Sequence, residues 1–204
     1  MLNLKEKFLE KGETLICLGD SITYAPNGYV SVLQEKLHDN TIINAGVPGE
    51  KTANALVRFK TDVLDRKPDA LSIFFGANDA AIGRREWGDE PTLSPEAYYS
   101  NIVWMIHIAR LNGVKKFSVT APFPEYEGEE ELSKFGNILQ SYCLAARRAA
   151  DEMHTYFVAL DTLFINEWRK HPGHTGLLLT GDGIHPTVES HRQIADKFLK
   201  DWNM

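Results

Sequence analysis

Short apolar segments alternate with longer segments of helical periodicity along the chain, and this alternation limits the fold more than any other feature. Five segments rich in β-branched and aromatic residues predict strands at Thr14–Leu18, Thr41–Ile43, Ala70–Phe75, Lys116–Thr120 and Tyr156–Ala159. Apolar periodicity predicts helices at Tyr29–Leu37, Thr52–Arg66, Pro95–Leu111, Leu132–Met153 and Val188–Trp202. Such alternation is typical of a parallel sheet with helices on both faces, so we predict an α/β fold.

The length and composition are those of a soluble globular protein with one domain. The sequence has 204 residues, and no repeat or Gly/Ser-rich linker divides it, so we expect a single domain over residues 1–204. Apolar residues make up 43% and charged residues 25%, which is an ordinary balance for such a domain. The net charge is −6 and the Lys and Arg residues are scattered, so we expect no binding to nucleic acid.

The sequence also bears on membranes and on the cellular compartment. No apolar segment approaches the roughly 18 residues that a transmembrane helix requires, so we expect no membrane span. The N-terminal residues are charged throughout and lack the apolar stretch of a secretory signal. Cys17 lies in a predicted strand and Cys143 in a predicted helix, positions typical of buried free thiols rather than of a disulfide framework. These features favour a cytoplasmic location.

Four short segments that follow strands or precede the last helix carry residues suited to catalysis. They read GDSIT at residues 19–23, NAGVPG at 44–49, GAND at 76–79 and DGIHP at 182–186. Ligands of an open parallel sheet bind at the carboxyl ends of its strands, so we expect these segments to converge at one edge. Each segment taken alone could be an ordinary turn, since Gly, Asn, Asp and Pro are common turn residues.

A serine, a histidine and an aspartate in these segments have the chemistry of nucleophilic catalysis. Ser21 is a weak nucleophile unless a base takes its proton, and His185 can do so near neutral pH. Asp182 lies three residues before His185, so a local turn can bring its carboxylate to the second ring nitrogen. Asp20 is the alternative orienting carboxylate, although we expect it to hydrogen-bond backbone groups instead, as we do for Asp79.

The same segments offer donors for the negative charge that develops on a substrate carbonyl oxygen. The backbone N–H groups of Ser21 and Gly49 and the side-chain amide of Asn78 are groups of this kind. The alternative for Asn78 is a side chain that only caps the next turn.

The four segments together resemble the SGNH hydrolase superfamily, also called the GDSL esterase/lipase family. That family is named for a serine, a glycine, an asparagine and a histidine, which match Ser21, Gly49, Asn78 and His185 here. The resemblance implies a flavodoxin-like three-layer α/β/α sandwich. It also implies a catalytic triad of Ser21, Asp182 and His185, with an oxyanion hole from the N–H groups of Ser21 and Gly49 and the Asn78 amide.

Two details qualify the match without affecting the catalytic set. Ile22 stands where the family name has leucine, which is an exchange of similar volume. Residues 19–23 do not form the Gly-x-Ser-x-Gly elbow of the α/β-hydrolases, which argues against that other lipase fold.

We therefore predict a serine esterase that hydrolyses small carboxylic esters through an acyl-enzyme on Ser21. A single domain of this size leaves little chain for a lid or a carbohydrate-binding module, which favours short acyl groups such as O-acetyl on a carbohydrate or another small alcohol. A thioesterase or a lysophospholipase would use the same site, and a catalytically silent ligand-binding module is the alternative of another class. The predicted partner is a small-molecule ester, no cofactor is needed, and a homo-oligomer is left open.

Other polar and aromatic residues are candidates for further roles. The histidines and aspartate at 171, 174, 182, 185 and 191 lack the spacing of a metal site, so we expect no metal. His191 falls in the last helix and suits packing or hydrogen bonding. Tyr24, Tyr29 and Trp87 could line an acyl pocket or simply pack. The acidic run Glu125–Glu131 indicates a solvated loop or the start of a helix.

Overall fold

A five-stranded, all-parallel sheet forms the centre of the protein, for which a computed structural model describes residues 6–80, 93–128 and 136–204. The strands are β1 Thr14–Gly19, β2 Thr41–Gly46, β3 Ala70–Phe74, β4 Lys116–Thr120 and β5 Tyr156–Val158. Their order in the sheet is β2-β1-β3-β4-β5. Each residue of β3 is buried, as expected of a central strand that is covered on both faces.

The helices lie in two groups on the two faces of this sheet. They are α1 Ser21–Tyr24, α2 Tyr29–Lys36, α3 Thr52–Asp62, α4 Ala77–Ala80, α5 Pro95–Leu111, α6 Leu139–Met153, α7 Leu160–Lys170 and α8 Val188–Asp201, with a 3₁₀ turn at Leu64–Arg66. α2 and α7 both pack against α8, whereas α5 packs against α3 and α6. This grouping follows from right-handed crossovers in a sheet of this order. The predicted flavodoxin-like α/β/α sandwich is confirmed.

The predicted strands and helices are all present, but several bounds differ, and β2 extends three residues beyond the predicted Ile43 to Gly46. The predicted helix Thr52–Arg66 ends at Asp62 and continues only as the 3₁₀ turn. Within the described residues the predicted helix Leu132–Met153 begins at Leu139, and residues 132–135 lie outside the described ranges.

Helix α7 was not predicted. Its buried residues Leu160 and Phe164 are four positions apart, and Trp168 continues the row, so the helical pattern was present in the sequence.

The register of the first three strands brings their loops to one edge of the sheet. Gly19 at the end of β1 is level with Gly46 of β2 and with Phe74 of β3. The chain then turns directly into α1, which packs over the end of β2. A Cβ atom at Gly46 would lie 2.3 Å from the backbone nitrogen of Tyr24 and 2.8 Å from the Asp20 carbonyl oxygen. The close packing of α1 against the end of β2 therefore requires glycine at position 46.

Two findings bear on the expectations about membranes and thiols. Within residues 6–80, 93–128 and 136–204, no helix has the length and apolar content that crossing a membrane would require. Cys17 in β1 and Cys143 in α6 are both free and buried. The expectations of a single domain and of a cytoplasmic location stay predictions.

Candidate active site

The serine lies at the start of α1, immediately after the buried strand β1. Asp20 caps this helix, because its Oδ1 accepts a hydrogen bond of 2.9 Å from the Ile22 N–H. Ile22 and Thr23 anchor the helix by pointing into the core. The Thr23 hydroxyl lies 3.0 Å from the buried hydroxyl of Tyr29. Ser21 itself is only partly buried, so its position is set by the core while its hydroxyl stays accessible.

The histidine lies in a tight turn before α8 that Asp182 closes. Asp182 Oδ1 accepts hydrogen bonds from the backbone N–H groups of Ile184, at 2.9 Å, and His185, at 2.7 Å. Gly183 adopts a φ of 92°, which glycine reaches without steric cost. The carboxylate is therefore held by the turn that carries the histidine.

The two segments meet through the imidazole ring of His185. Its Nε2 lies 2.9 Å from Ser21 Oγ, across 164 residues of sequence, and its Nδ1 lies 2.7 Å from Asp182 Oδ2. The side chains of His185 and Asp182 are 42% and 53% exposed. Partial burial raises the pKa of Asp182, but hydrogen bonds from the His185 ring and from the two N–H groups outweigh it and lower the pKa below its usual value.

The predicted oxyanion donors lie at the ends of the neighbouring strands. Asn78 is buried, and its Nδ2 donates to Asp20 Oδ2 at 3.2 Å and to the Glu50 carbonyl oxygen at 3.0 Å. An amide nitrogen has two hydrogens, so donation to a substrate would require one of these bonds to be released or shared. Gly49 is exposed and adopts a φ of 78°, while a Cβ there would meet nothing within 4 Å. Glycine is needed at this position for its backbone conformation and not for space.

Two buried aspartates lie beneath the serine. Burial raises the pKa of Asp20 to about 7, the Ile22 N–H opposes this rise, and the charges of Asp79 and Glu50 add to it. Burial likewise raises the pKa of Asp79 to about 6, against the hydrogen bonds that Asp79 accepts from the hydroxyl and the N–H of Thr52. Both carboxyls accept hydrogen bonds from backbone N–H groups, as predicted, Asp20 from Ile22 and Asp79 from Thr52, and Asp20 makes no contact with His185 that would orient it.

Sequence reasoning missed Arg58, which ties the loops of the serine side together. Its guanidinium donates to the carbonyl oxygens of Ala45, at 2.9 Å, and Gly19, at 3.3 Å. It also pairs with Glu50 at 2.6 Å and with Asp62 at 2.8 Å. The sequence signal for Arg58 was its spacing: it lies three positions after Ala55, a buried residue of the same amphipathic helix, so a charged side chain is placed near the buried face.

It also missed Glu127, and the prediction of a solvated acidic run is wrong at this residue. The side chain is buried, because its carboxylate accepts hydrogen bonds from Trp168 and from the backbone of residues 178–180. These partners lie 41 to 53 residues away, so no local pattern could have found them. Residues 129–131 of the run lie outside the described ranges.

The remaining candidates have the following positions. Tyr29 is a core residue and Tyr24 is exposed at the end of α1, whereas Trp87 lies outside the described residues. His191 is buried in α8, where its Nδ1 accepts the Tyr29 N–H at 3.2 Å.

The histidines at positions 171 and 174 lie at a separate cavity. A cavity of about 470 Å³ is bordered by Trp168, His171 and His174 on one side and by Glu125 and Glu127 on the other. Ser21 and His185 do not line it. Within the described parts of the chain, no three His, Cys, Asp or Glu side chains form a group that could hold a metal ion.

Comparison with known proteins identifies the family. The model of the GDSL-like lipase/acylhydrolase family matches residues 17–193, which is most of the chain. The chain belongs to this family. This GDSL protein is therefore an esterase/lipase-type enzyme, and the resemblance seen in the sequence is confirmed.

Three similar proteins place this GDSL enzyme among its relatives. An uncharacterized lipoprotein, YqeF of Bacillus subtilis (strain 168), is 30% identical over 77% of this chain and 71% of its own. Esterase TesA of Pseudomonas aeruginosa is 23% identical over 90% of this chain and 85% of its own. The crystal structure of Axe2, an acetylxylan esterase from Geobacillus stearothermophilus, superimposes with a TM-score of 0.79 at 26% identity and covers 95% of each chain.

Proposed function

We propose that this GDSL enzyme is a serine esterase that hydrolyses small carboxylic esters with short acyl groups. The observation that carries the proposal is the continuous contact from Ser21 Oγ through the His185 ring to Asp182, at 2.9 Å and 2.7 Å. A hydroxyl, an imidazole and a carboxylate in this order form a nucleophile, its base and the group that orients the base.

Hydrolysis proceeds in two acyl-transfer steps. Ser21 Oγ bonds to the ester carbonyl carbon while His185 Nε2 takes the hydroxyl proton, and the carbonyl electrons move to oxygen. The C–O bond to the alcohol then breaks, and His185 returns the proton to the departing alkoxide. Water adds to the acyl-enzyme in the same way, with His185 as base, and the acid leaves as Ser21 regains its proton. Throughout, Asp182 fixes the ring orientation and stabilises the imidazolium.

The oxyanion is held by the N–H groups of Ser21 and Gly49 and by the side-chain amide of Asn78. Asn78 reaches the substrate by giving up its bond to the Glu50 carbonyl oxygen, because that bond is only partly buried whereas the bond to Asp20 is buried. Its bond to Asp20 keeps the amide oriented. One such donor contributes on the order of 3 kcal/mol to transition-state stabilisation.

The substrate proposed first is an acetyl ester of a carbohydrate or of another small alcohol. Two observations support it. The serine and the histidine lie at an open edge, with both Asp182 and His185 about half exposed, which suits a small acyl group on a polar alcohol. Axe2, which is similar along nearly its whole length, is named an acetylxylan esterase.

The nucleophile is tested with p-nitrophenyl acetate. We expect Ser21→Ala and His185→Ala to lose activity to a similar extent, because members of such a unit act together. Ser141→Ala serves as the matched control, since Ser141 is exposed on α6 and donates only to a carbonyl oxygen of its own helix turn. Equal rates for wild type and Ser21→Ala would refute the nucleophile, and failure of a fluorophosphonate to label Ser21 in folded protein would favour the silent binding module.

The substrate class is tested by a series of acyl esters from C2 to C16, together with acyl-CoA thioesters. We expect kcat/KM to be highest for C2 and to fall with chain length. A maximum at long chains would contradict the short-acyl proposal and favour a lysophospholipase, and a preference for acyl-CoA would favour a thioesterase.

A further inference from the structure

Glu127 lies in the loop after β4, and its carboxylate is one of the most heavily bonded groups in the described structure. The residue is only 5% exposed. Oε1 accepts from Trp168 Nε1 at 2.7 Å and from the Leu179 N–H at 3.1 Å. Oε2 accepts from the N–H groups of Leu178, Leu179 and Thr180 at 3.3, 2.9 and 2.7 Å and from the Thr180 hydroxyl at 2.8 Å.

All of these donors are uncharged. No Lys or Arg among the residues described forms an ion pair with Glu127. A carboxylate removed from water is costly unless hydrogen bonds replace its hydration, and three successive backbone N–H groups with an indole and a hydroxyl replace it here. These hydrogen bonds also hold the backbone of residues 178–180 in place, a segment that belongs to no helix or strand.

The same residue reaches the turn of the histidine by two further contacts. The backbone N–H of Glu127 donates to the Gly183 carbonyl oxygen at 2.9 Å. The Thr180 hydroxyl, which donates to Glu127, accepts the Gly183 N–H at 3.1 Å. Gly183 lies between Asp182 and His185, and both of its backbone hydrogen-bonding groups are tied to Glu127, the carbonyl oxygen directly and the N–H through Thr180.

We propose that Glu127 is a positioning residue for the esterase reaction, whose buried carboxylate holds the Asp182–His185 turn at hydrogen-bond distance from Ser21. This inference rests on the proposed function. His185 and Asp182 are both about half exposed and lie on a turn outside the sheet, so the strands do not determine their position. Glu127 supplies that support from the loop after β4.

The first test is Glu127→Gln, which keeps the shape of the side chain. Both carboxylate oxygens accept hydrogen bonds from N–H groups. In either orientation of the new side-chain amide, its N–H₂ group would therefore face an N–H donor and could not replace the lost acceptor. Displacement of a catalytic group by about 1 Å can cost about 100-fold in rate. We expect kcat for p-nitrophenyl acetate to fall by about 10- to 100-fold, with KM within about twofold, since the ester-contacting groups of the serine side remain in place.

The second test is Thr180→Val, which removes the hydroxyl that links Glu127 to the Gly183 N–H but leaves the carboxylate in place. We expect a smaller loss in the same parameter, about 5- to 10-fold in kcat. The two substitutions break one network, so their effects on kcat in the double variant should be less than the product of the single effects. Thr180→Val also keeps the proposal falsifiable if Glu127→Gln does not fold.

A spectroscopic measurement separates positioning from general stability. In protein labelled with ¹⁵N-histidine, the downfield Nδ1 proton of His185 reports its hydrogen bond to Asp182. We expect this signal to broaden or disappear in Glu127→Gln at a temperature where circular dichroism shows the variant fully folded. The control is Glu189→Gln, which makes the same charge change at an exposed residue of α8 paired only with Arg192, and it should retain both signal and kcat.

Wild-type kcat and a retained Nδ1 signal in folded Glu127→Gln, or in Thr180→Val, would overturn the proposal. A different result would instead refute the proposed function: wild-type hydrolysis that persists in Ser21→Ala. The two failures are therefore distinguishable in one set of assays.

Discussion

The two halves of the candidate active site are supported in different ways. On the serine side, Ser21, Gly49 and Asn78 follow three adjacent strands whose ends are level, and the buried carboxyl of Asp20 caps the serine's helix turn. On the histidine side, Asp182 and His185 lie on an exposed turn that is fixed by local hydrogen bonds and by Glu127. Changes on the serine side should therefore lower stability together with activity, whereas changes to the exposed Asp182 and His185 side chains should lower activity with little effect on stability.

The largest expected effect is on the histidine side, from Asp182→Asn. The amide can keep the bonds to the two backbone N–H groups but directs a hydrogen at His185 Nδ1, which favours the tautomer that cannot accept the serine proton. We expect kcat/KM for p-nitrophenyl acetate to fall about 10³-fold or more. Because Asp182 is 53% exposed, the free energy of unfolding should change by less than about 1 kcal/mol.

Urea unfolding and ester hydrolysis measured on the same preparation check this prediction. Asp196→Asn, at an exposed residue of α8 that pairs with Lys36, is the matched control and should behave as wild type in both. A large loss of stability in Asp182→Asn would show that the histidine turn contributes to the stability of the fold. The proposed difference between the serine side and the histidine side would then not hold.

The next effect is on the serine side and depends on pH. The pKa of Asp20 is raised by burial to about 7 in the folded protein, against 3.8 for an ordinary aspartate, so the folded state binds its proton more tightly. Its contribution to stability is complete below about pH 4 and is lost as the pH rises through about 7. Asp20→Asn cannot titrate, so the stability of wild type relative to this variant should fall by up to roughly 4 kcal/mol from pH 4 to pH 8.

Urea unfolding curves of the two proteins across this range measure that difference. Asp39→Asn, which makes the same charge change at a surface residue paired with Lys11, is the matched control and should not reproduce this difference. If the free energy of unfolding of wild type relative to Asp20→Asn stays constant or increases as the pH rises, the raised pKa of a buried Asp20 is contradicted.

A smaller loss is expected from Gly46→Ala, also on the serine side. The new methyl group would lie 2.3 Å and 2.8 Å from backbone atoms of α1, which cannot move without shifting Ser21. We expect about 2 kcal/mol of destabilisation, typical of an overpacked site, and a parallel loss of activity. Thermal unfolding and the rate of fluorophosphonate labelling measure the two effects. Wild-type values in both would mean that the serine loop is adaptable.

The smallest effect is expected from Gly181→Ala on the histidine side, which is the matched partner of Gly46→Ala. A Cβ at this position would meet only the His185 carbonyl oxygen, at 4.0 Å, so the methyl group fits without displacing the turn. We expect the free energy of unfolding to stay within about 0.5 kcal/mol of wild type. A loss as large as that of Gly46→Ala, seen in thermal unfolding, would show that the two sides are packed equally tightly.

Much of the fold could be predicted from the sequence because its signals are local. The five strands are short β-branched runs, and α5 begins with a serine cap followed by Pro95. Helix α7 has the same kind of periodicity, with Leu160, Phe164 and Trp168 at four-residue spacing, so it too was predictable from the sequence. Glu127 is a different case, because an acidic residue within an acidic run looks solvated until its partners from residues 168–180 are known.

The amino-acid sequence alone is enough to predict the parallel α/β architecture and the four segments that carry Ser21, Gly49, Asn78 and His185, since strand periodicity and turn residues are properties of adjacent positions. The folded structure was needed to show that the Asn78 amide is already bonded to Asp20 and Glu50, and that a buried carboxylate is bonded to the segment before the histidine turn. These are contacts between residues distant in sequence, and whether a polar group is solvated or buried depends on what the rest of the chain packs around it.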